Sequence, residues 1–167
     1  SLLFCFFFFI METITDLQPK IDTLGSLLRL LSEQVSQRTR LYRTQAVTRE
    51  MELWFPLLDI TDAFANQPDL RVAAIQRRLD MRAVDASLAS IRTHMTFFAA
   101  AAHSGAFNEQ EYALYCRYSL RVLGAFNNAL AQLRRNLPSR ASPTVWDEFR
   151  RALAAFLGLI ALIARAP

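Results

Sequence analysis

Cysteine, glycine and lysine are scarce in this 167-residue chain. Its two cysteines, Cys5 and Cys116, lie far apart, so they can form at most one disulfide and supply no metal-ligand cluster. A disulfide-stapled secreted fold is thereby excluded, and a reducing, cytoplasmic compartment is expected. Four Gly and six Pro cannot furnish the tight turns of an all-β sandwich of this length. Lys20 is the single lysine against eighteen arginines. Long apolar runs are missing as well: the opening SLLFCFFFFI reaches only about 15 Å as a helix, and Ala152 to Ala164 about 20 Å, each short of a bilayer core.

What is present is apolar and helix-forming. Hydrophobic residues make up 53% and charged residues 20%, enough for a packed core and too little charge for a disordered chain. The formal charge of +4 is modest. Its carriers are guanidinium forks, which suit phosphate and carboxylate. Met11 is expected to be the natural start, with residues 1–10 an apolar, non-native extension lacking a signal peptide's basic flank and cleavage site.

Hydrophobic spacing predicts five helices. Thr15 or Asp16 can cap the first, with Pro19 in its opening turn and Ile21, Leu24, Leu27, Leu28, Leu31 and Val35 on one stripe. Ser36 to Thr44, with Arg38, Arg40 and Arg43, reads as polar and exposed. A second helix from about Gln45 to Asn66 offers Met51, Trp54, Phe55, Leu58 and Phe64 to the core, with a kink or split expected at Pro56. A third carries the seam Val84, Leu88, Ile91, Met95, Phe98 and Ala102, extends back through Ile75 and Leu79, and ends at Gly105. Asn108 and Glu111 open a fourth that reaches about Leu137, with Tyr112, Ser119, Leu123, Phe126, Leu130 and Leu133 on its seam. Thr144 can cap the last, whose stripe includes Trp146, Phe149, Leu153, Phe156, Leu157, Ile160 and Ile163. The expected fold is all-α: an antiparallel up-down four-helix bundle over residues 11–137, a linker at 138–143 and an extra apolar C-terminal helix at 144–167. That last helix is expected to cover an open end, pack between subunits or lie on a membrane.

Catalysis has no visible carrier. His94 and His103 are nine apart with no HExxH or paired cysteines, so neither metal nor cofactor is expected. There is no Gly-rich phosphate loop and no GxSxG elbow, and Cys116 falls inside a helix. Glu50 and Glu52 point to different helical faces. Binding fares better, because between Ala86 and Trp146 only Glu109 and Glu111 are acidic. Arg77, Arg78, Arg82, Arg92, Arg117, Arg121, Arg134 and Arg135 are the candidate nucleic-acid-binding residues, with Arg140 as a further cation. Arg117 and Arg121, one turn apart, can meet neighbouring phosphates, which gives salt-sensitive binding with little base specificity. Tyr112, Tyr115 and Tyr118 read as packing residues rather than stacking platforms.

Three segments together carry a resemblance: Val47 to Leu53 (VTREMEL), Ala83 to Phe98 (AVDASLASIRTHMTFF) and Arg121 to Phe126 (RVLGAF) within Asn108 to Leu130. They resemble the accessory variability determinant (Avd) proteins of diversity-generating retroelements, relatives of the four-helix-bundle proteins encoded by 23S rRNA intervening sequences. The resemblance covers roughly Asp22 to Arg135. Gly124 in this run costs about 1 kcal/mol relative to Ala, which predicts close approach of a neighbouring helix, with Phe126 beside it as a helix-packing residue. Phe126 stands where the family usually has Trp. The resemblance implies a non-enzymatic bundle, typically a homopentamer, that binds a reverse transcriptase and RNA or DNA, with Arg49, Arg92, Arg117 and Arg121 among the matching basic positions. The helix after Pro143 and the apolar N-terminus depart from the family pattern. The alternative reading is a structural or assembly subunit, or a membrane-surface protein, that uses its apolar terminal helices.

Overall fold

The computed structural model describes residues 2–38, 43–76, 78–137 and 143–163, with the side chains of 2–16, 143, 145–146 and 163 left outside the description. Among these residues the chain is all-helical: α1 (Leu2–Ser36), α2 (Arg43–Ala65), α3 (Pro68–Gln76), α4 (Met81–Ser104), α5 (Glu109–Arg135) and α6 (Pro143–Ile163). The expected linker at 138–143 falls outside the described residues, except that Pro143 begins α6.

Neither internal proline interrupts its helix. α1 passes through Pro19 without the boundary expected at Thr15 or Asp16, and α2 passes through Pro56 without the expected split. A proline removes one backbone donor and crowds the carbonyl four residues earlier. Pro56 and Glu52 both face solvent, so water can take the freed carbonyl while the opposite face stays packed. Leu17, Ile21, Leu24, Leu28 and Leu31 of α1 are buried against Val47, Met51, Trp54 and Leu58 of α2 in one continuous core.

The predicted third helix is in fact two. Arg78 adopts a left-handed conformation at φ 63°, Leu79 N–H donates to the Ala74 carbonyl, and Asp80 accepts from Arg82 N and Ala83 N as the N-cap of α4. Ile75 is therefore not on the α4 seam and is 66% exposed. The break lets α3 turn back, where Arg71 ties it to Asp85 of α4 at 3.0 Å and to the Ala65 carbonyl. The remaining boundaries fall where the residues place them: Gly105 ends α4 at φ 74°, and the Asn108 side chain accepts from Glu111 N.

α6 is a full member of the core, not a lid. It packs on α5, α4, α3 and α1, burying Phe149, Leu153, Phe156, Leu157 and Ile160. α4 and α5 meet through rings beside their connecting turn, with Phe98 5.2 Å from Tyr115 and His94 4.8 Å from Tyr118. Toward the other end α6 lies between them. Phe156 stands edge-on to Phe64 of α2 at 6.2 Å and to Phe126 of α5 at 6.5 Å, and Ser87 of α4 donates to the Ala161 carbonyl. Phe126 also meets Trp54 at 6.4 Å, so its ring touches both α2 and α6.

Gly124 does not meet the neighbouring helix expected of it. It lies on the exposed side of α5, and a Cβ built there would meet nothing within 4 Å. Gly in an exposed helix interior loses about 1 kcal/mol to Ala through backbone entropy. Gly124→Ala is therefore expected to raise unfolding free energy by about 0.5–1 kcal/mol, read as a higher urea midpoint at unchanged m-value.

Candidate nucleic-acid interface

The rotation of α5 is fixed by a buried polar cluster. Arg38, expected to be exposed, is only 8% accessible, and Glu50 of α2 is fully buried. Arg38 Nε and Nη2 donate to both Glu50 carboxylate oxygens, at 3.0 and 2.5 Å. Nη2 also donates to Ser119 Oγ at 2.5 Å, and Tyr115 Oη donates to Glu50 Oε1 at 3.0 Å. The Arg38 guanidinium lies 5.1 Å from the Tyr115 ring centroid. Burial opposes the Arg38 charge, but the hydrogen bond and charge of Glu50 outweigh it and hold the guanidinium above its ordinary pKa. Burial, then the Glu50 charge, pushes the Tyr115 phenol up. With every member partnered, the cluster satisfies the condition under which buried charge is tolerated.

Because Tyr115 and Ser119 face this cluster, Arg117 and Arg121 must face out, and both are exposed. With Leu114 and Tyr118 they line a groove of about 320 Å3. The Arg121 guanidinium lies 5.3 Å from the Tyr118 centroid, within cation–π range. Behind Tyr118, His94 Nδ1 sits 2.8 Å from the Ser90 carbonyl oxygen, which requires the proton on Nδ1, and 3.3 Å from Tyr118 Oη. Burial pushes the Tyr118 phenol up to about 12, with the Arg121 charge opposing. The three tyrosines serve packing, as expected: Tyr115 and Tyr118 are buried and Tyr112 is half-buried beside Phe107.

The other candidate cations do not join this groove. Arg92 is held by Asp59 at 2.8 Å and Asp62 at 2.7 Å. It braces α4 to α2 with its charge answered by carboxylates of its own chain. Arg78 sits in the α3–α4 break and Arg82 in the first turn of α4, both exposed. Arg134 lies across α1 at Gly25, where an added Cβ would collide with its guanidinium. Arg135 lines a separate cleft with Arg151 and Glu148, about 21 Å of helix away from Arg121. Arg77 and Arg140 lie outside the described residues. The single basic face expected of these residues is thus divided, and only Arg117 and Arg121 share a groove. Glu109, one of the two acidic residues in the basic stretch, pairs with Arg43, whose hydrogen bond and charge hold its pKa low.

Sequence reasoning missed Arg38, Glu50 and Ser119 as a unit. A signal existed in the pattern, since Glu50 occupies an inward position between Ala46, Val47, Met51 and Trp54, and Ser119 lies on the α5 seam. Among the described residues no group of three or more His, Cys, Asp or Glu is placed to hold a metal. No family model, curated protein or solved structure matches this chain.

Glu50→Ala leaves a buried, unpaired guanidinium, so unfolding free energy is expected to fall by about 3–5 kcal/mol in urea titration. The Tyr118 phenol adds an alkaline limit. Its folded pKa of about 12 exceeds an ordinary value of about 10, so the unfolded chain releases its proton first. Stability is full below pH about 10 and declines toward 12. Tyr118→Phe is expected to make that decline shallower in denaturant titrations at stepped pH.

Proposed function

We propose that this chain is a non-catalytic helical accessory protein that holds the phosphate backbone of RNA or DNA on the outer face of α5. The observation that carries the reading is the Arg117–Arg121 groove, where two exposed guanidinium groups stand one helical turn apart. Two forks at this spacing can grip successive backbone phosphates, and an Arg stacked on a ring keeps its fork pre-organised. Such contacts position a strand without reading its bases. Arg82, Arg134 and Arg135, all exposed, add to the general positive potential from farther away.

The resemblance of VTREMEL, AVDASLASIRTHMTFF and RVLGAF to the Avd proteins adds a protein partner, a reverse transcriptase, and a homo-oligomer, a pentamer in that family. On this reading α1, α2, α4 and α5 are the antiparallel four-helix bundle of the family and α6 is an addition to it. The accessory role also fits the chemistry of the site, which offers cations and an aromatic ring but no paired acid and base. A membrane-surface role has less support. The α6 stripe that would meet lipid is buried in the core, and no helix among the described residues is long and apolar enough to cross a membrane.

The test is titration of fluorescent single-stranded RNA and DNA at several salt concentrations, with the double variant Arg117→Glu/Arg121→Glu beside the parent chain. Loss of two phosphate contacts is expected to reduce the slope of log K against log salt by about 1.4 on these single strands. Binding at low salt should fall at least tenfold with circular dichroism unchanged. Equal affinity and equal slope for the two proteins would overturn the assignment.

A further inference from the structure

The outer face of α6 carries two clefts that meet at Ala155. Toward the start of the helix, a cavity of about 540 Å3 is lined by Arg135, Leu137, Glu148, Arg151 and Ala155. Toward its end, a cavity of about 510 Å3 is lined by Leu79, Ala83, Ala155, Gly158, Leu159 and Leu162. Positions 148, 151, 155, 158 and 162 recur at three and four residues, so they share one helical face. From Glu148 to Leu162 the combined trench follows about 21 Å of α6. The C-terminal part of α5 and the start of α4 form its two banks.

Its two ends differ in chemistry. At the first, Arg135 and Arg151 are exposed and pair with no carboxylate among the described residues, while Glu148 stands beside them. Two guanidinium groups and one carboxylate leave a single net positive charge. At the second, Leu79, Leu159 and Leu162 are the walls and small residues the floor. Gly158 keeps that floor open, since a Cβ there would lie 3.2 Å from Leu79 Cδ1. Leu162 is 69% exposed at this mouth. Asp80 also borders the apolar end, but its carboxylate is engaged by Arg82 N and Ala83 N as the α4 cap.

We infer that the trench is a binding site for a single-chain fatty carboxylate, with its head between Arg135 and Arg151 and its tail along Leu79, Leu159 and Leu162. A linear occupant, anionic at one end only, matches a linear site that is cationic at one end only. One net positive charge complements a monoanionic carboxylate better than a dianionic phosphate.

Isothermal titration of the full chain with laurate, dodecanol and dodecyltrimethylammonium tests this. Laurate is expected to bind at one equivalent, at least tenfold tighter than either of the others. Ala155→Trp, at the exposed floor position where the two clefts meet, should weaken laurate at least tenfold and leave RNA binding and helicity unchanged. Leu162→Glu, at an exposed position, should weaken it comparably, and keeps the test sharp if the tryptophan disturbs folding. Arg135→Gln/Arg151→Gln should bring laurate to the level of dodecanol. The proposal is overturned by no laurate binding, by multiple equivalents insensitive to Ala155→Trp and Leu162→Glu, or by equal affinity for all three amphiphiles. Displacement of laurate by an acidic amphipathic peptide that itself binds more tightly would also overturn it, in favour of a protein partner.

Discussion

The Arg38–Glu50 pair is the constraint on which the surface chemistry of this molecule depends. Two full charges taken out of water carry a desolvation penalty of several kcal/mol each, and here they are retained inside a core otherwise built of aliphatic and aromatic side chains. They are tolerated because the carboxylate receives Arg38 and Tyr115, and the guanidinium reaches Ser119 as well. A network of this kind has directional requirements that apolar packing lacks. Apolar contact is non-directional, whereas turning Ser119 or Tyr115 away leaves a buried charge without its partner. The register in which Arg117 and Arg121 face water is therefore set from inside.

The second organising feature is the wedge made by α6. α4 and α5 are joined by a short turn and held there by the rings of Phe98, Tyr115, His94 and Tyr118. Away from the turn α6 packs on both, and its Phe156 reaches Phe64 of α2 and Phe126 of α5. Insertion buries the most apolar helix of the chain, but a cylinder set between two others leaves grooves along its outer flank. The trench past Ala155 is a geometric by-product of that packing. The two surfaces assigned here thus lie on different parts of α5, one near its start at Arg117 and Arg121 and one at its end at Arg135.

Part of this organisation was legible in the residue pattern. The seams Val84 to Ala102 and Leu123 to Leu133 are buried as their spacing demands, and Gly105 and Asn108 terminate and start helices through local chemistry that acts without tertiary help. The misread points share a cause. Pro56 was expected to kink or split α2, and α1 was expected to begin at Thr15 or Asp16 just before Pro19, yet a proline on the wet side is tolerated inside a helix when the opposite face is packed. Ile75 and Leu79 fit the period of the following helix, but the cap at Asp80 and the left-handed turn at Arg78 decide otherwise. Gly124 resembled a packing glycine and meets no neighbour.

The candidate site was legible in kind and not in arrangement. An excess of arginine over carboxylate in one stretch identifies cations, because charge is a property of each side chain alone. Which cations remain available is a property of pairs. Asp59 and Asp62 lie some thirty positions before Arg92 and still engage it, since α2 and α4 are neighbours. Composition and periodicity alone therefore determined the all-helical character, several helix ends and the basic balance, because local hydrogen bonding and one-face burial depend on near neighbours in sequence. The insertion of α6, the burial of Arg38 and the division of the arginines were decided only by tertiary structure, because each depends on distances between helices that no spacing along one helix encodes.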